Sequence, residues 1–227
     1  MLFRSMRHLQ GAVTKHGAEL GIAYDGDADR IGAIDESGRI VWGDELMVIF
    51  SRAILKERAG AAIIGDVKCS QRMYDDIAKR GGRPIMWKTG HSLIKSKLRE
   101  EHAALAGEMS GHMFFADRYL GFDDAIYASF RLLEIVSNEQ RGLGALLADL
   151  PRSTFTPEIR LDCPDDRKFE VVRRAAEFFR KNYRVIDIDG VRVRFDDGWG
   201  LVRASKDRKS TRLNSSHEIP SRMPSSA

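Results

Sequence analysis

The sequence is poor in cysteine, in long apolar runs and in clustered positive charge. Its 227 residues include two cysteines, Cys69 and Cys163, and no Cys-X-X-Cys pair, which excludes a disulfide-rich scaffold and a cysteine metal cluster. No apolar run approaches the roughly 20 residues of a membrane-spanning helix, and residues 1–10 lack the apolar stretch of a secretory signal. We therefore expect a cytoplasmic protein with no membrane partner.

The small excess of basic residues does not indicate a nucleic-acid-binding protein. The formal net charge is +4, and the residues from Lys206 onward contribute +3 of it. The sequence has no basic stripe with interleaved aromatic side chains, the pattern typical of nucleic-acid contacts. With 43% hydrophobic and 31% charged residues, the composition is that of a globular protein large enough for one or two cores.

The sequence Asp25-Gly-Asp27-Ala-Asp29-Arg30 places three carboxylates at alternate positions, directly before an arginine. Alternate side chains of an extended segment point the same way, so the three carboxylates can converge on one cation. Such hard oxygen ligands favour Mg²⁺ over zinc or copper. The Arg30 guanidinium can bind a phosphate beside the metal. A metal next to a phosphate-binding arginine indicates phosphoryl transfer.

One other interpretation of this motif remains open, and two others fit its residues less well. A solvated acidic loop remains open. An EF-hand calcium loop that starts at Asp25 fits Glu36 at its twelfth position, but it needs glycine at the sixth, where Arg30 stands. The short apolar runs on either side also predict strands rather than the helices of an EF-hand. A phosphatase of the DxDxT type would need threonine in place of Asp29.

Between residues 44 and 136, helix-like and strand-like segments alternate. This βαβ alternation predicts an α/β fold, with a parallel mixed sheet covered by helices on both faces. After a linker over 142–156, a helix and three strands predict a small α+β C-terminal domain. The predicted helices are 44–58, 70–80, 92–100, 123–136 and 166–181, and the predicted strands are 61–65, 84–87, 103–106, 112–115, 185–188, 191–195 and 201–204.

Polar residues follow three successive strands of the predicted sheet. Because ligands bind beyond the carboxyl ends of parallel strands, we expect these residues to line one site. The glycines around Glu108 and Ser110 would let the backbone approach a sugar. Lys68 is also compatible with a solvated surface position, and His91 with a helix cap. The candidate residues are Asp66 and Lys68, then Lys88 and His91, then Glu108, Ser110 and His112.

These segments and the Asp loop together resemble the α-D-phosphohexomutase superfamily, most closely its phosphomannomutase/phosphoglucomutase branch. The similarity spans about residues 18–137 and extends more weakly to Ser205. Met109 is typical of this branch, whereas the phosphoglucosamine branch usually carries glutamine there. The matching motifs are Asp25-Gly-Asp-Ala-Asp-Arg30, Asp66-Val-Lys-Cys-Ser70, Trp87-Lys-Thr-Gly-His-Ser92, Gly107-Glu-Met-Ser-Gly-His112 and Gly121-Phe-Asp-Asp124.

The resemblance implies a reaction that moves phosphate between the 1- and 6-positions of a hexose such as mannose or glucose. An enzyme phosphoserine gives its phosphate, and a bisphosphorylated sugar forms and turns around. The implied ligands of Mg²⁺ are Asp25, Asp27 and Asp29, with a phosphoserine oxygen. The implied catalytic residues are Arg30 for the transferring phosphoryl group, and Lys68 and His91 as acid/base or phosphate-orienting groups. The implied substrate-binding residues are Glu108, Ser110, His112, Arg203 and Ser205.

Among the substrate-binding residues, the resemblance assigns Glu108 and Ser110 to sugar hydroxyls and His112 to a further substrate contact. Arg203 and Ser205 would hold the phosphate that does not react. Family members normally continue Asn-Thr-x-Pro after this serine, whereas Lys206-Asp-Arg208 stands here, so the phosphate contact departs from the family pattern. Ala28 replaces the commoner glycine in the metal loop and leaves the ligands unchanged.

The resemblance also divides the chain. It implies the end of domain II with the metal loop over 1–42, the sugar-binding α/β domain III over 43–150, and an incomplete phosphate-binding domain IV over 151–205. Family members carry an additional N-terminal domain whose Ser-His-Asn-type loop supplies the phosphoserine, and no such loop precedes Asp25. We therefore interpret the sequence as a fragment that turns over no substrate alone.

Residues 206–227 differ in composition from the rest of the chain. They are rich in serine, arginine and proline and resemble translated adapter or vector sequence, so we expect them to be disordered and non-native.

For the chain as a whole, a second hypothesis is a non-catalytic module that binds sugar phosphates or metal. A third, a calcium-binding structural protein, predicts a preference for Ca²⁺ over Mg²⁺ and is disfavoured by Arg30.

Overall fold

The computed structural model describes residues 6–204, and residues 212–220 as backbone. The chain forms two compact units that divide between Leu150 and Pro151. Among the described residues, every helix is too short or too polar to span a lipid bilayer.

The first unit begins with a helix and a three-stranded antiparallel sheet in the order β1-β2-β3. Strand β2 is buried along its whole length, and β1 pairs with it so that the Asp loop becomes the turn of a hairpin. The helix has one deeply buried side chain, Val13, and the sequence did not predict it. The elements are α1 (Arg7–His16), β1 (Leu20–Tyr24), β2 (Ile31–Asp35) and β3 (Ile40–Val41).

The rest of the first unit is the predicted α/β fold, with a sheet in the order β5-β4-β6-β7. Strand β4 is parallel to both of its neighbours, as expected. The last strand is antiparallel to β6, because the five residues between them are too few for a parallel crossover. The elements are α2 (Gly43–Glu57), β4 (Ala62–Asp66), α3 (Gln71–Lys79), β5 (Arg83–Trp87), α4 (His91–Glu100), β6 (Leu105–Gly107), β7 (Met113–Phe115) and α5 (Ala125–Glu139).

Helices cover both faces of this sheet, as the sequence predicted. Successive residues of β4 point to opposite faces of the sheet. Ile63 packs with α2, α3 and α5, and Ile64 packs with α4. The larger core includes Phe50 and Phe115, whose rings meet edge to face at 5.0 Å. Burial on both sides holds the strand ends, and therefore the loops that follow them, in fixed positions.

The second unit has one helix on an antiparallel sheet, ordered β10-β11-β12-β13-β8, and β9 also pairs with β13. This is the predicted α+β arrangement. The helix buries Ala176 against Val191 and Val193 of the sheet. The elements are β8 (Ser153–Phe155), β9 (Ile159–Asp162), α6 (Lys168–Phe179), β10 (Arg184–Ile186), β11 (Val191–Arg194), β12 (Trp199–Ala204) and β13 (Arg212–Pro220).

Two expectations about irregular segments differ from the structure. The predicted linker over 142–156 contains a short 3₁₀ turn at Ala145–Leu147 and the start of β8. We expected disorder over 206–227, but Arg212–Pro220 form a strand between β12 and β8. Backbone groups at the edge of β12 need hydrogen-bond partners, and the backbone of Arg212–Pro220 provides them whatever the composition of that segment. Residues 205–211 and 221–227 lie outside the described residues.

Candidate active site

The loops that follow β4, β5 and β6 meet at one edge of the sheet. These strands run in parallel, so their carboxyl ends lie side by side. The loop after β5 contacts the loop after β6 directly, because the backbone N–H of Gly90 donates to Glu108 Oε1 at 2.7 Å. The structure thus brings together the segments that carry Lys68, His91 and Glu108.

Glu108 and His112 form a buried acid–imidazole pair. The Nδ1–H of His112 donates to Glu108 Oε2 at 2.6 Å, and Ser110 Oγ lies 3.3 Å from the same nitrogen. Glu108 is only 2% exposed, and His112 is buried as well. The turn between them needs Gly111, whose φ is +98° and where a Cβ would lie 2.5 Å from the carbonyl oxygen of Ile31. Three substrate-binding candidates therefore share one tight turn.

The pair stabilises its own charges. Burial alone would raise the pKa of Glu108, but the hydrogen bonds from His112 and Gly90 outweigh it and lower that pKa. Burial would likewise lower the pKa of His112, and the hydrogen bond and charge of Glu108 reverse this and raise it. The charge of Asp29 also raises the pKa of His112, so the pair is electrostatically coupled to the Asp loop.

The Asp loop (residues 25–30) contacts the Glu108–His112 pair through Arg30. Arg30 Nε lies 3.0 Å from His112 Nε2 and donates its N–H to this nitrogen when His112 is neutral, and the two residues also form a β-bridge. Next to them, the N–H of Ile31 donates to the carbonyl oxygen of Gly111 at 3.1 Å. Asp29 Oδ2 is 3.3 Å from His112 Nε2, so this nitrogen lies between an arginine and a carboxylate. The Asp loop and the Glu108 turn therefore form one continuous surface.

Asp25, Asp27 and Asp29 bring one carboxylate oxygen each to within 4.8 Å of the others. Asp25 Oδ1 also accepts a hydrogen bond from the N–H of Arg30 at 3.1 Å, which closes the loop. Asp29 Oδ1 is buried and has no hydrogen-bond partner among the described residues. Burial raises the pKa of Asp29, and the charges of Asp25 and Asp27 add to this, although His112 opposes it. A partly buried carboxylate with this surplus of negative charge fits a hard divalent cation such as Mg²⁺.

His91 lies at the start of α4 and belongs to the same cluster. Its Nδ1 is 3.8 Å from Asp123 Oδ2, and its ring centre is 6.1 Å from that of His112. Lys95, one turn further along α4, donates to Asp123 Oδ1 at 2.9 Å. Burial would raise the pKa of Asp123, and the hydrogen bond from Lys95 reverses this and lowers it. Asp123 also has an oxygen within 4.8 Å of ligand atoms of Asp29 and His112.

Asp123 and Lys95 were not among the candidate site residues predicted from the sequence. Asp123 belongs to the quoted motif Gly121-Phe-Asp-Asp124, so the signal was present, but the motif lies after β7 rather than at a parallel strand end. Its neighbour Asp124 caps α5 by accepting from the N–H of Tyr127 at 2.8 Å. Of two adjacent aspartates, one therefore begins a helix and the other faces the site.

The remaining candidates differ in where they lie. Lys68 Nζ is 3.6 Å from Asp66 Oδ2, and the lysine charge helps to lower the pKa of Glu108. Arg203 lies on β12 of the second unit, buried, with Nη2 3.6 Å from Asp189 Oδ2. Its Nε has no hydrogen-bond partner among the described residues. Ser205 lies outside the described residues.

Comparison with known sequences identifies the family of this chain. A sequence profile described as phosphoglucomutase/phosphomannomutase, alpha/beta/alpha domain III, matches residues 42–154. A phosphomannomutase/phosphoglucomutase from Pseudomonas aeruginosa is 46% identical over 204 residues, which are 88% of this chain and 44% of the relative. The chain belongs to the phosphoglucomutase/phosphomannomutase family. It spans less than half the length of this relative.

Solved structures support the same family fold. A phosphoglucomutase/phosphomannomutase family protein from Burkholderia thailandensis is 40% identical, with a TM-score of 0.86 over 96% of this chain and 46% of that protein. A more distant structure, of Aspergillus fumigatus N-acetylphosphoglucosamine mutase in complex with GlcNAc-6P and magnesium, has a TM-score of 0.63 at 16% identity. It covers 88% of this chain and 45% of that protein, and it indicates a shared fold alone.

Proposed function

We propose that this chain supplies the metal-binding and sugar-binding parts of a Mg²⁺-dependent phosphomannomutase/phosphoglucomutase. The observation that carries the proposal is the contact between Arg30 and His112, which joins the Asp loop to the Glu108 turn. A phosphoryl group held at the metal would then lie next to a sugar held at the turn. The substrates would be hexose phosphates, namely mannose or glucose 1- and 6-phosphate, in the cytoplasm.

In this proposal Asp25, Asp27 and Asp29 hold the magnesium ion. When bound, Mg²⁺ would neutralise charge on the phosphoryl oxygens and fix their position. The convergence of the three carboxylates supports these ligands, as does the buried Oδ1 of Asp29, which has no hydrogen-bond partner among the described residues. The magnesium named for the distant N-acetylphosphoglucosamine mutase is consistent with them.

Arg30 would stabilise the phosphoryl group as it transfers, since its guanidinium lies beside the carboxylates and keeps donors available after the Nε contact with His112. Lys68 and His91 lie on neighbouring loops and would hold or move the proton of the reacting hydroxyl, or orient its phosphate. Asp123 would keep His91 in place through the 3.8 Å contact. Such positioning and charge stabilisation account for most of phosphoryl-transfer catalysis.

Glu108 and Ser110 would bind sugar hydroxyls, and His112 would contact the substrate from beneath them. Glu108 suits this role because its lowered pKa keeps it ionised and able to accept from two hydroxyls. In the second unit, Arg203 would hold the phosphate that does not react, together with Ser205. The buried Nε of Arg203, which lacks a hydrogen-bond partner in the part of the chain described, supports an anion there.

The reaction also needs a phosphoserine nucleophile. The sequence has no Ser-His-Asn-type loop before Asp25, and the chain spans 44% of its Pseudomonas relative. We infer that the nucleophile belongs to a longer protein and that this chain alone is inactive. The domain assignment over 1–42, 43–150 and 151–205 follows from the family resemblance, and the composition of 206–227 supports a non-native origin for those residues.

Binding and turnover by the 227-residue chain test the proposal. Calorimetric titration with glucose 1-phosphate and mannose 1-phosphate should detect binding that strengthens with Mg²⁺, and a coupled assay should detect no mutase activity. Glu108→Gln should abolish the binding, whereas Glu139→Gln, at the far end of α5, should leave it intact. Absence of binding would refute the sugar site, and robust turnover by the chain alone would refute the missing nucleophile.

Sequencing the source DNA across both ends of the reading frame separates the enzyme from a binding module. An upstream segment that encodes a Ser-His-Asn loop, with Asn-Thr-x-Pro after Ser205, would support the mutase. A true start and stop at the present ends, combined with sugar-phosphate binding, would favour the non-catalytic module.

A further inference from the structure

Asp66 is a fully buried carboxylate at the carboxyl end of the central strand β4. A carboxylate in such a position is costly unless donors surround it. Both of its oxygens have donors, and these donors come from three separate loops. Asp66 is therefore a junction between segments that are far apart in the sequence.

The first oxygen holds its own loop and the loop after β6. Asp66 Oδ1 accepts from the backbone N–H of Lys68 at 3.2 Å and of Cys69 at 3.1 Å. It also accepts from the N–H of Met109 at 3.4 Å, 43 residues further along the chain. Met109 lies between Glu108 and Ser110, so this bond holds the sugar-binding turn.

The second oxygen reaches the loop after β5. Asp66 Oδ2 accepts from the hydroxyl of Thr89 at 3.2 Å, two residues before His91. The ammonium group of Lys68 is 3.6 Å from the same oxygen. These partners are all donors, the pattern that an ionised acceptor-only group requires.

We propose that Asp66 is a positioning residue that fixes the three substrate loops relative to one another. The inference rests on the proposed function for its consequence, which is sugar-phosphate affinity. A carboxylate can do this where a water could not, because its two oxygens hold a fixed spacing and each accepts from more than one donor. Asp66 itself lies below the loops and would touch no substrate.

The test compares two buried aspartates in the 227-residue chain. Asp66→Asn turns one acceptor oxygen into a donor that faces other donors. Asp76→Asn is the matched control, because Asp76 is also buried but pairs with Arg52 and Arg80 on the helical side. Both changes should lower thermal stability. Asp66→Asn alone should weaken glucose 1-phosphate binding, by about tenfold or more, since hydrogen bonds to charged groups are the strong ones.

Backbone amide shifts give a second measurement that needs no ligand. In a ¹⁵N–¹H spectrum, Asp66→Asn should move the amide signals of Lys68, Gly90 and Met109 together, and Asp76→Asn should leave them in place. If Asp66→Asn does not fold, Thr89→Val decides instead. That variant removes one hydroxyl at nearly constant volume, and it should move the signals of Gly90 and His91 and weaken binding severalfold.

The outcomes separate this inference from the proposed function. Unchanged glucose 1-phosphate affinity in Asp66→Asn overturns the inference, as do amide shifts confined to residues 66–70. If the unmodified chain binds no sugar phosphate, the proposed function fails. The amide shifts then decide the inference, since movement of all three loops supports it and movement of one loop overturns it.

Discussion

The Asp loop and the Glu108 turn are in contact, yet the turn pairs an acid with a base whereas the loop brings like charges together. At the turn, Glu108 and His112 share a buried hydrogen bond, and each shifts the pKa of the other toward its charged form. In the loop, three carboxylates face one another, and the pKa of Asp29 is raised by burial and by its neighbours. The turn pairs its own charges, whereas the loop gathers carboxylates that a cation would stabilise.

This contrast divides the site into two halves. The Glu108 turn is the preformed half, and the Asp loop is the conditional half. A preformed turn would keep the proposed sugar-binding groups oriented at no further cost when the substrate arrives. In the proposed site the loop would gain its stabilisation only from a bound cation, so metal binding and phosphate binding should depend on each other. Changes that remove charge should therefore have opposite effects on stability in the two halves.

The largest expected effect concerns the metal. Asp29→Asn removes a third of the ligand charge, and Mg²⁺ affinity measured by calorimetry should fall by roughly 100-fold. In the metal-free chain the same change should leave the unfolding free energy unchanged or raise it, because a disfavoured charge is lost. Asp187→Asn, an exposed acid of the second unit, is the control and should change neither quantity. Unaltered Mg²⁺ affinity would exclude Asp29 as a ligand.

In the preformed half, Glu108→Gln should destabilise the first unit. The change removes a charge-assisted hydrogen bond that is buried, so the unfolding free energy should fall by about 2 kcal/mol. Hydrogen exchange of the β4 and β6 amides would report this unit specifically. Glu101→Gln, in a surface ion pair with Lys97 and Arg83, is the control and should cost much less, because solvent screens an exposed pair. Equal losses in the two variants would contradict the contrast.

The pH dependence of that loss follows from the two pKa directions. Glu108 has a lowered pKa, so its contribution is present above the ordinary value of 4.5 and is lost as pH falls through the folded value. His112 has a raised pKa, so its contribution is full below the ordinary value of 6.5 and is lost as pH rises through the folded value. Without metal, the stability difference between the unmodified chain and Glu108→Gln should be greatest between pH 4.5 and 6.5. A difference that does not vary with pH would contradict this.

The smallest expected effect concerns the backbone of the Asp loop. Ala28 has a φ of +57°, in the left-handed region that favours glycine. Ala28→Gly should therefore raise the unfolding free energy by about 0.5–1 kcal/mol and leave the metal ligands in place. Ala78→Gly, on the exposed side of α3, should lower it by about 1 kcal/mol. A loss at both positions would mean that Ala28 is not strained.

The sequence predicted the helices and strands of the α/β region because their apolar patterns are strong. It also placed Lys68, His91 and Glu108 at one edge, since parallel strands align their carboxyl ends. It missed α1, whose apolar face is narrow, and it predicted disorder where β13 forms. Asp123 was overlooked as a site residue because its segment follows an antiparallel strand, whose end the rule for parallel sheets does not cover.

Local patterns in the sequence determined which residues are candidates for the site: alternating carboxylates before an arginine, and glycine-bracketed acid and hydroxyl groups. These depend on neighbouring residues and on regular geometry, which a sequence displays directly. The tertiary structure alone decided that Arg30 meets His112, 82 residues away, and that Asp66 holds three loops. Such contacts depend on how buried strands pack and in what register, and no local pattern specifies which distant donor will satisfy a buried acceptor.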